Sequence, residues 1–177
     1  DATAVLSVLI LANADINKPR GSSGATPLYM ACQSGHVSTV RQLLAANARL
    51  DQPKQGGFTP LHIACMRQRV ECVSVLLEAR ADADAAYGVA DRFTPLMLAA
   101  HFDHAELVQL LLGAGASMRL RDAQGRTARD VALAEGHGRV ASLLGARAQA
   151  ESREGVMLAQ EATVQELRQM RPVQAEL

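Results

Sequence analysis

Gly57-Phe58-Thr59-Pro60-Leu61-His62-Ile63-Ala64-Cys65 is the stretch on which the fold turns. Thr followed by Pro reads as a helix start. The Thr hydroxyl accepts a bond from an amide that would otherwise be orphaned, and Pro presets φ at the first helical position. His62 lies three residues after Thr59, where its ring can reach back to the cap and close a capping box. Leu61 then enters the core, and Ala64-Cys65 keeps the helix thin enough for a neighbour to approach closely.

Working outward, the phrase recurs as Thr26-Pro27-Leu28, as Thr94-Pro95-Leu96 and, worn, as Thr127-Ala128-Arg129, at intervals of 33, 35 and 33 residues. A second phrase keeps step with it: Leu43-Leu44, Leu76-Leu77 and Leu111-Leu112 are followed by Ala48, Ala81 and Ala116, each 22 residues after its Thr. Two phrases at one offset mark a structural repeat. Their period and wording resemble the ankyrin repeat family over about residues 4 to 148. The resemblance implies an all-α, ankyrin-type helix-turn-helix solenoid with finger hairpin loops. It has three full repeats, an N-terminal half repeat and a degenerate C-terminal capping repeat. The repeat domain is read as 1–148, with units of about 1–25 (partial), 26–58, 59–93, 94–126 and 127–148; residues 149–177 form a polar, partly helical tail.

First helices are expected to end near Gly35, Gln68, Asp103 and Gly136, where the family uses a left-handed turn. Gln68 there costs on the order of 1 kcal/mol. Second helices are expected over about 37–46, 71–79, 105–113 and 139–147, with Val40/Leu43/Leu44, Val73/Leu76/Leu77 and Val108/Leu111/Leu112 as the apolar stripe. Asp130 matches His62 as a capping-box partner, for Thr127; Tyr29 and Met97 do not, so those two helix starts are expected to be weaker. Gly136-His137-Gly138-Arg139-Val140 reads as one residue short of Gly35-His36-Val37-Ser38-Thr39-Val40. With Arg129, Asp130, Glu135 and Arg139 at outer positions, the fourth unit suits a terminal cap. Residues 4–12 look like a second helix whose first helix is missing, which predicts further repeats or a cap on the N-terminal side. A separate helix is expected over about 155–170, stopped by Pro172, serving as linker, docking element or partner-binding helix.

Composition limits the chemistry. The 177 residues carry 18 basic and 18 acidic side chains, with a pI near 7.1, which argues against a nucleic-acid or membrane-surface binder of overall basic character. Aromatic residues make up only 3% of the chain, which fits Ala/Leu helix packing better than a β core. No run reaches the roughly 18 apolar residues needed to span a bilayer. The start Asp1-Ala2-Thr3 does not read as a secretory leader. Cys32, Cys65 and Cys72 form no disulfide pattern, which favours a reducing, intracellular and cytoplasmic setting.

Gly21-Ser22-Ser23-Gly24 lacks the Lys and the strand-loop-helix context of a phosphate loop and reads as a finger tip. His62, Cys65 and Cys72 are too few for a structural zinc. His36, His104 and His137 share one place in the repeat frame, which the resemblance assigns to a structural turn. No nucleophile–base pair is fixed by any motif, so the reading is of no catalytic residue, cofactor, metal or small-molecule substrate.

The resemblance instead directs attention to the concave face made by finger tips and first helices. Position by position, it implicates Met30, Gln33, Phe58, Ile63, Met66, Arg67, Tyr87, Phe93, Leu98, His101, Phe102 and Arg126 in contacting another protein. Aromatic, Met and Arg side chains are common binding anchors. Phe58 and Phe93 suit either bracing of adjacent fingers or direct contact; Phe102, with Met66, Arg67 and His101, has no standard bracing role. The two extra residues within 84–92 mark either a specificity loop or a neutral insertion. Arg119, Arg121, Arg126 and Arg129 suit an acidic peptide or a plain solvated rim. The expectation is a non-enzymatic adaptor or scaffold; the rival is the regulatory or targeting portion of a larger enzyme or channel.

Overall fold

The computed structural model describes residues 8, 12, 14–88 and 91–169, apart from the side chains of residues 163, 164 and 166–169. Among the described residues eight α-helices follow one another: α1 Pro27–Ser34, α2 Val37–Ala45, α3 Pro60–Met66, α4 Val70–Glu78, α5 Pro95–His101, α6 Ala105–Gly113, α7 Ala128–Ala134 and α8 Gly138–Gln169. The helix expected over 4–12 lies largely outside the described residues, although the Ala12 amide does donate to the Val8 carbonyl at 2.9 Å.

Every substantial helix–helix contact joins neighbours: α1 to α2, α3 to α4 and so on within a unit, then α1-α3-α5-α7 as one row and α2-α4-α6-α8 as a second. Each unit alone leaves an apolar face bare, and stacking covers it with the next. Leu28, Leu61 and Leu96 are buried at the same place in successive units, as are Leu43, Leu76, Leu111 and Leu144. The fourth unit keeps its frame: Ala141 and Leu144 stand 14 and 17 residues after Thr127, as Val40 and Leu43 do after Thr26, and all four are buried. The apparent one-residue gap arose from matching Val140 to Val40, whereas Val140 stands 13 residues after its Thr, as the buried Cys72 and Leu107 do.

The helix starts follow the sequence. Thr26 and Thr94 accept from the Tyr29 and Met97 amides and have no return bond, whereas Thr59 and Thr127 each sit in a full capping box. The four first-helix exits are left-handed, with φ of +79° at Gly35, +55° at Gln68, +54° at Asp103 and +79° at Gly136. Between units, side-chain acceptors at the finger bases form a ladder unseen in the sequence. The Arg49 amide donates to Asn17 Oδ1 at 2.7 Å, the Asp82 amide to Asp51 Oδ1 at 3.2 Å, and the Ser117 amide to Asp84 Oδ1 at 2.8 Å.

The C-terminal end departs from expectation. In place of separate helices over 139–147 and 155–170, α8 runs unbroken for 32 residues, about 48 Å at 1.5 Å per residue. Its first turns pack on the fourth unit through Val140, Ala141 and Leu144; from Ala146 to Ala162 every residue is exposed, including Val156, Met157 and Leu158. Gly155 lowers helix propensity without breaking the helix. The stop expected at Pro172 lies outside the described residues.

Candidate partner-binding face

Each finger is a short hairpin closed at equivalent frame positions. The Arg20 amide donates to Ala25 O, Lys54 to Phe58 O, Tyr87 to Phe93 O and Asp122 to Arg126 O, at 2.8 to 3.0 Å. The extra residues of the third interval therefore lie at the tip, between Tyr87 and Phe93. Fingers are joined tip to tip by Gln55 N donating to Ser23 O and Ala123 N donating to Asp91 O. Between the second and third fingers the join is apolar: the Phe58 and Tyr87 rings stack with centroids 3.8 Å apart. Gly57 lies so close to the neighbouring finger that a Cβ on it would come within 3.1 Å of the Gly88 nitrogen.

Rings continue across the face. Tyr87 neighbours Phe93 at 6.2 Å, Phe93 neighbours His101 at 6.4 Å, and His101 meets Phe102 edge-on at 4.8 Å. His101 Nδ1 lies 3.2 Å from Glu135 Oε1, which ties the row to the fourth unit. At the other end Lys54 Nζ sits 5.4 Å from the Tyr29 ring centroid and 5.7 Å from that of Phe58, within cation–π range of both. Lys54 was missed in the sequence; its signal was its place five residues before Thr59, matching Asp122 before Thr127.

Beneath the row, His62 is fully buried. The Thr59 amide donates to its Nδ1 at 3.2 Å and Thr59 Oγ1 lies 2.7 Å from the same atom, so the ring's own proton sits on Nε2, which is buried and has no hydrogen-bond partner among the described residues. Burial lowers the His62 pKa to about 4, against smaller opposing effects from the backbone of Ala85 and Phe93 and the Asp82 charge. His62 is therefore a neutral brace, with Phe58 and Tyr87 packed edge-on around it. Burial likewise pushes the Cys65 thiol up to about 12 and raises Cys32 and Cys72, leaving three unreactive thiols. Among the described residues no group of three or more His, Cys, Asp or Glu side chains is placed to hold a metal ion, and no helix is long and apolar enough to cross a membrane.

The twelve implicated residues divide. Arg67 and Phe102 are exposed, while Met30, Gln33, Met66 and His101 are half-buried on the first-helix row. Phe58, Tyr87 and Phe93 are half-buried and engaged with one another, so their rings brace the fingers. Ile63 and Leu98 are corrections, being 3% and 2% exposed: in these units the fourth position after the Thr turns into the stack, as it also does at Val131 in the fourth unit. Arg126 is half-buried and committed, its Nε donating to Asp122 Oδ2 at 2.8 Å. Burial opposes ionisation of Asp122, but the Arg126 amide and guanidinium and the Gln124 amide outweigh it and hold the carboxyl below its ordinary value. Arg121 Nη1 donates to the Gly125 carbonyl at 2.6 Å, so the arginines of this finger serve the finger itself.

Two family models match the chain: one described as ankyrin repeats (3 copies) over residues 2–87, and one described as ankyrin repeats (many copies) over residues 89–132. No curated protein matches it. The repeat phrases, the stacked helix pairs and both matches agree, and the chain belongs to the ankyrin repeat family.

Proposed function

We propose that this chain is an adaptor or scaffold module that holds a partner protein on the face made by its first helices and finger tips. Ankyrin repeats generally mediate protein–protein interaction and are typically non-catalytic. The observation that carries the finer reading is Phe102, an aromatic side chain 38% exposed in the middle of the stack. Its ring is held by His101, which Glu135 holds in turn. An aromatic anchor fixed before binding loses little conformational entropy on contact. Met66 and Arg67, at the matching positions one unit earlier, extend the same surface.

The test is the affinity of a protein or peptide ligand selected on the full chain. Met66→Ala with Phe102→Ala is expected to weaken it by about 2 kcal/mol while leaving helical circular dichroism unchanged. Unchanged affinity would refute the assignment of this face.

A further inference from the structure

Charge is distributed very unevenly along the row. Between Asp15 and Glu71 the sequence holds one carboxylate, Asp51, against Lys18, Arg20, Arg41, Arg49, Lys54, Arg67 and Arg69. Asp51 is occupied at a finger base, where its Oδ1 accepts the Asp82 amide. Beyond Glu71 carboxylates return, and two of them, Asp122 and Glu135, pair with Arg126 and His101 on the binding face itself. Among the described residues neither Lys54 nor Arg67 has a carboxylate partner. The Lys54 ammonium instead rests over the rings of Tyr29 and Phe58, and the Arg67 charge bears on the Tyr29 phenol, whose pKa is raised by burial and partly restored by that charge. Met30 and Met66 lie half-buried at the first-helix row beside them.

An uncompensated pair of cations flanked by methionine and aromatic surface is complementary to one kind of ligand. It suits a polypeptide that presents carboxylates next to an apolar side chain. Resting on the docking reading above, we infer that the partner segment is acidic, and that its carboxylates lie over Lys54 and Arg67 while a neighbouring apolar residue meets Met30 and Met66. The acidic partner thus belongs at Lys54 and Arg67 rather than at Arg121 and Arg126, whose guanidiniums already donate to the Gly125 carbonyl and to Asp122.

The experiment selects a random displayed-peptide library on the full chain, then measures the selected peptides by fluorescence anisotropy. Enrichment of Asp and Glu beside Leu, Met or Phe is expected. The double change Lys54→Gln, Arg67→Gln should weaken binding about tenfold or more and flatten its salt dependence. Arg41→Gln, which removes a charge from the second-helix side where Arg41 pairs with Glu78, should leave it unchanged. Selected peptides without acidic bias, affinity indifferent to the double change, or tighter binding of a single-stranded oligonucleotide would each overturn the inference. If Met66→Ala with Phe102→Ala still weakened the peptides in those cases, the docking face would stand and only its chemistry would be wrong. No enrichment, or peptides indifferent to both pairs of changes, would refute face and chemistry together.

Discussion

The seam between the second and third units and the fourth unit at the end of the stack solve the same frame positions with opposite chemistry. At the seam the helix start is capped by His62, buried and neutral, and the finger is closed by Tyr87 and Phe93. At the end the cap is Asp130, exposed, and the finger is closed by Asp122 and Arg126. The difference follows from what lies beyond each. An interior seam is covered on both sides, so a charge there would be desolvated without return. The terminal unit has one side in water, where the Asp130 carboxylate keeps its hydration and gains the Thr127 amide as well, while the buried Asp122 is held charged by the Arg126 guanidinium and the Gln124 and Arg126 amides. The same logic explains Leu133, which is 54% exposed at the place where Cys32, Cys65 and Ala100 are sealed by a following unit.

Removing the two caps should break the symmetry of the sequence phrase most visibly. His62→Ala opens a cavity and deletes a capping bond, and is expected to cost about 3 kcal/mol in urea denaturation. Asp130→Ala removes only a solvated cap and is expected to cost about 1 kcal/mol. Equal effects would mean that the interior and terminal starts are energetically alike.

Acid sharpens the contrast. His62 is neutral in the fold, with its pKa lowered to about 4 from an ordinary 6.5, so between those values the unfolded chain takes up the proton and the folded chain does not. Its stabilisation is complete above pH 6.5 and is lost as pH falls toward 4, a swing of about 3 kcal/mol. Asp122 and Asp130 have lowered pKa values. Their stabilisation is present above the ordinary carboxylate range and disappears below it. His62→Gln should therefore flatten the stability profile between pH 6.5 and 4 and leave the drop at lower pH in place. A profile unaltered by that change would contradict the neutral brace.

The smallest effect concerns the exits. Gln68 holds φ of +55° where Gly35 and Gly136 hold +79°, and Gln68→Gly should raise the thermal midpoint by an amount worth about 1 kcal/mol. A loss of stability would show that the Gln68 side chain contributes more than its backbone costs.

The period, the helix starts, the left-handed exits and both capping boxes were legible from Thr, Pro, Gly and the residue three places on, because those signals are local. Other features were not, the finger-base ladder of Asn17, Asp51 and Asp84 among them. Ile63 and Leu98 were assigned to the binding face because their frame position is the same as that of Met30, and frame position alone does not say how far a flanking unit covers it. The run of α8 through 148 was hidden because the end of the repeat pattern resembles the end of a helix, whereas its Ala, Gln, Glu and Arg simply continue one. Lys54 was hidden because its role depends on two rings, Tyr29 and Phe58, that share no local pattern with it.

The most direct measurement is amide hydrogen exchange of the full chain with and without a selected peptide. If the first-helix row is the docking face, protection rises in α1, α3 and α5 and in the finger tips around Lys54 and Asp91, and α2, α4 and α6 stay as they were. Protection centred on the second helices, or on the exposed part of α8, would contradict it.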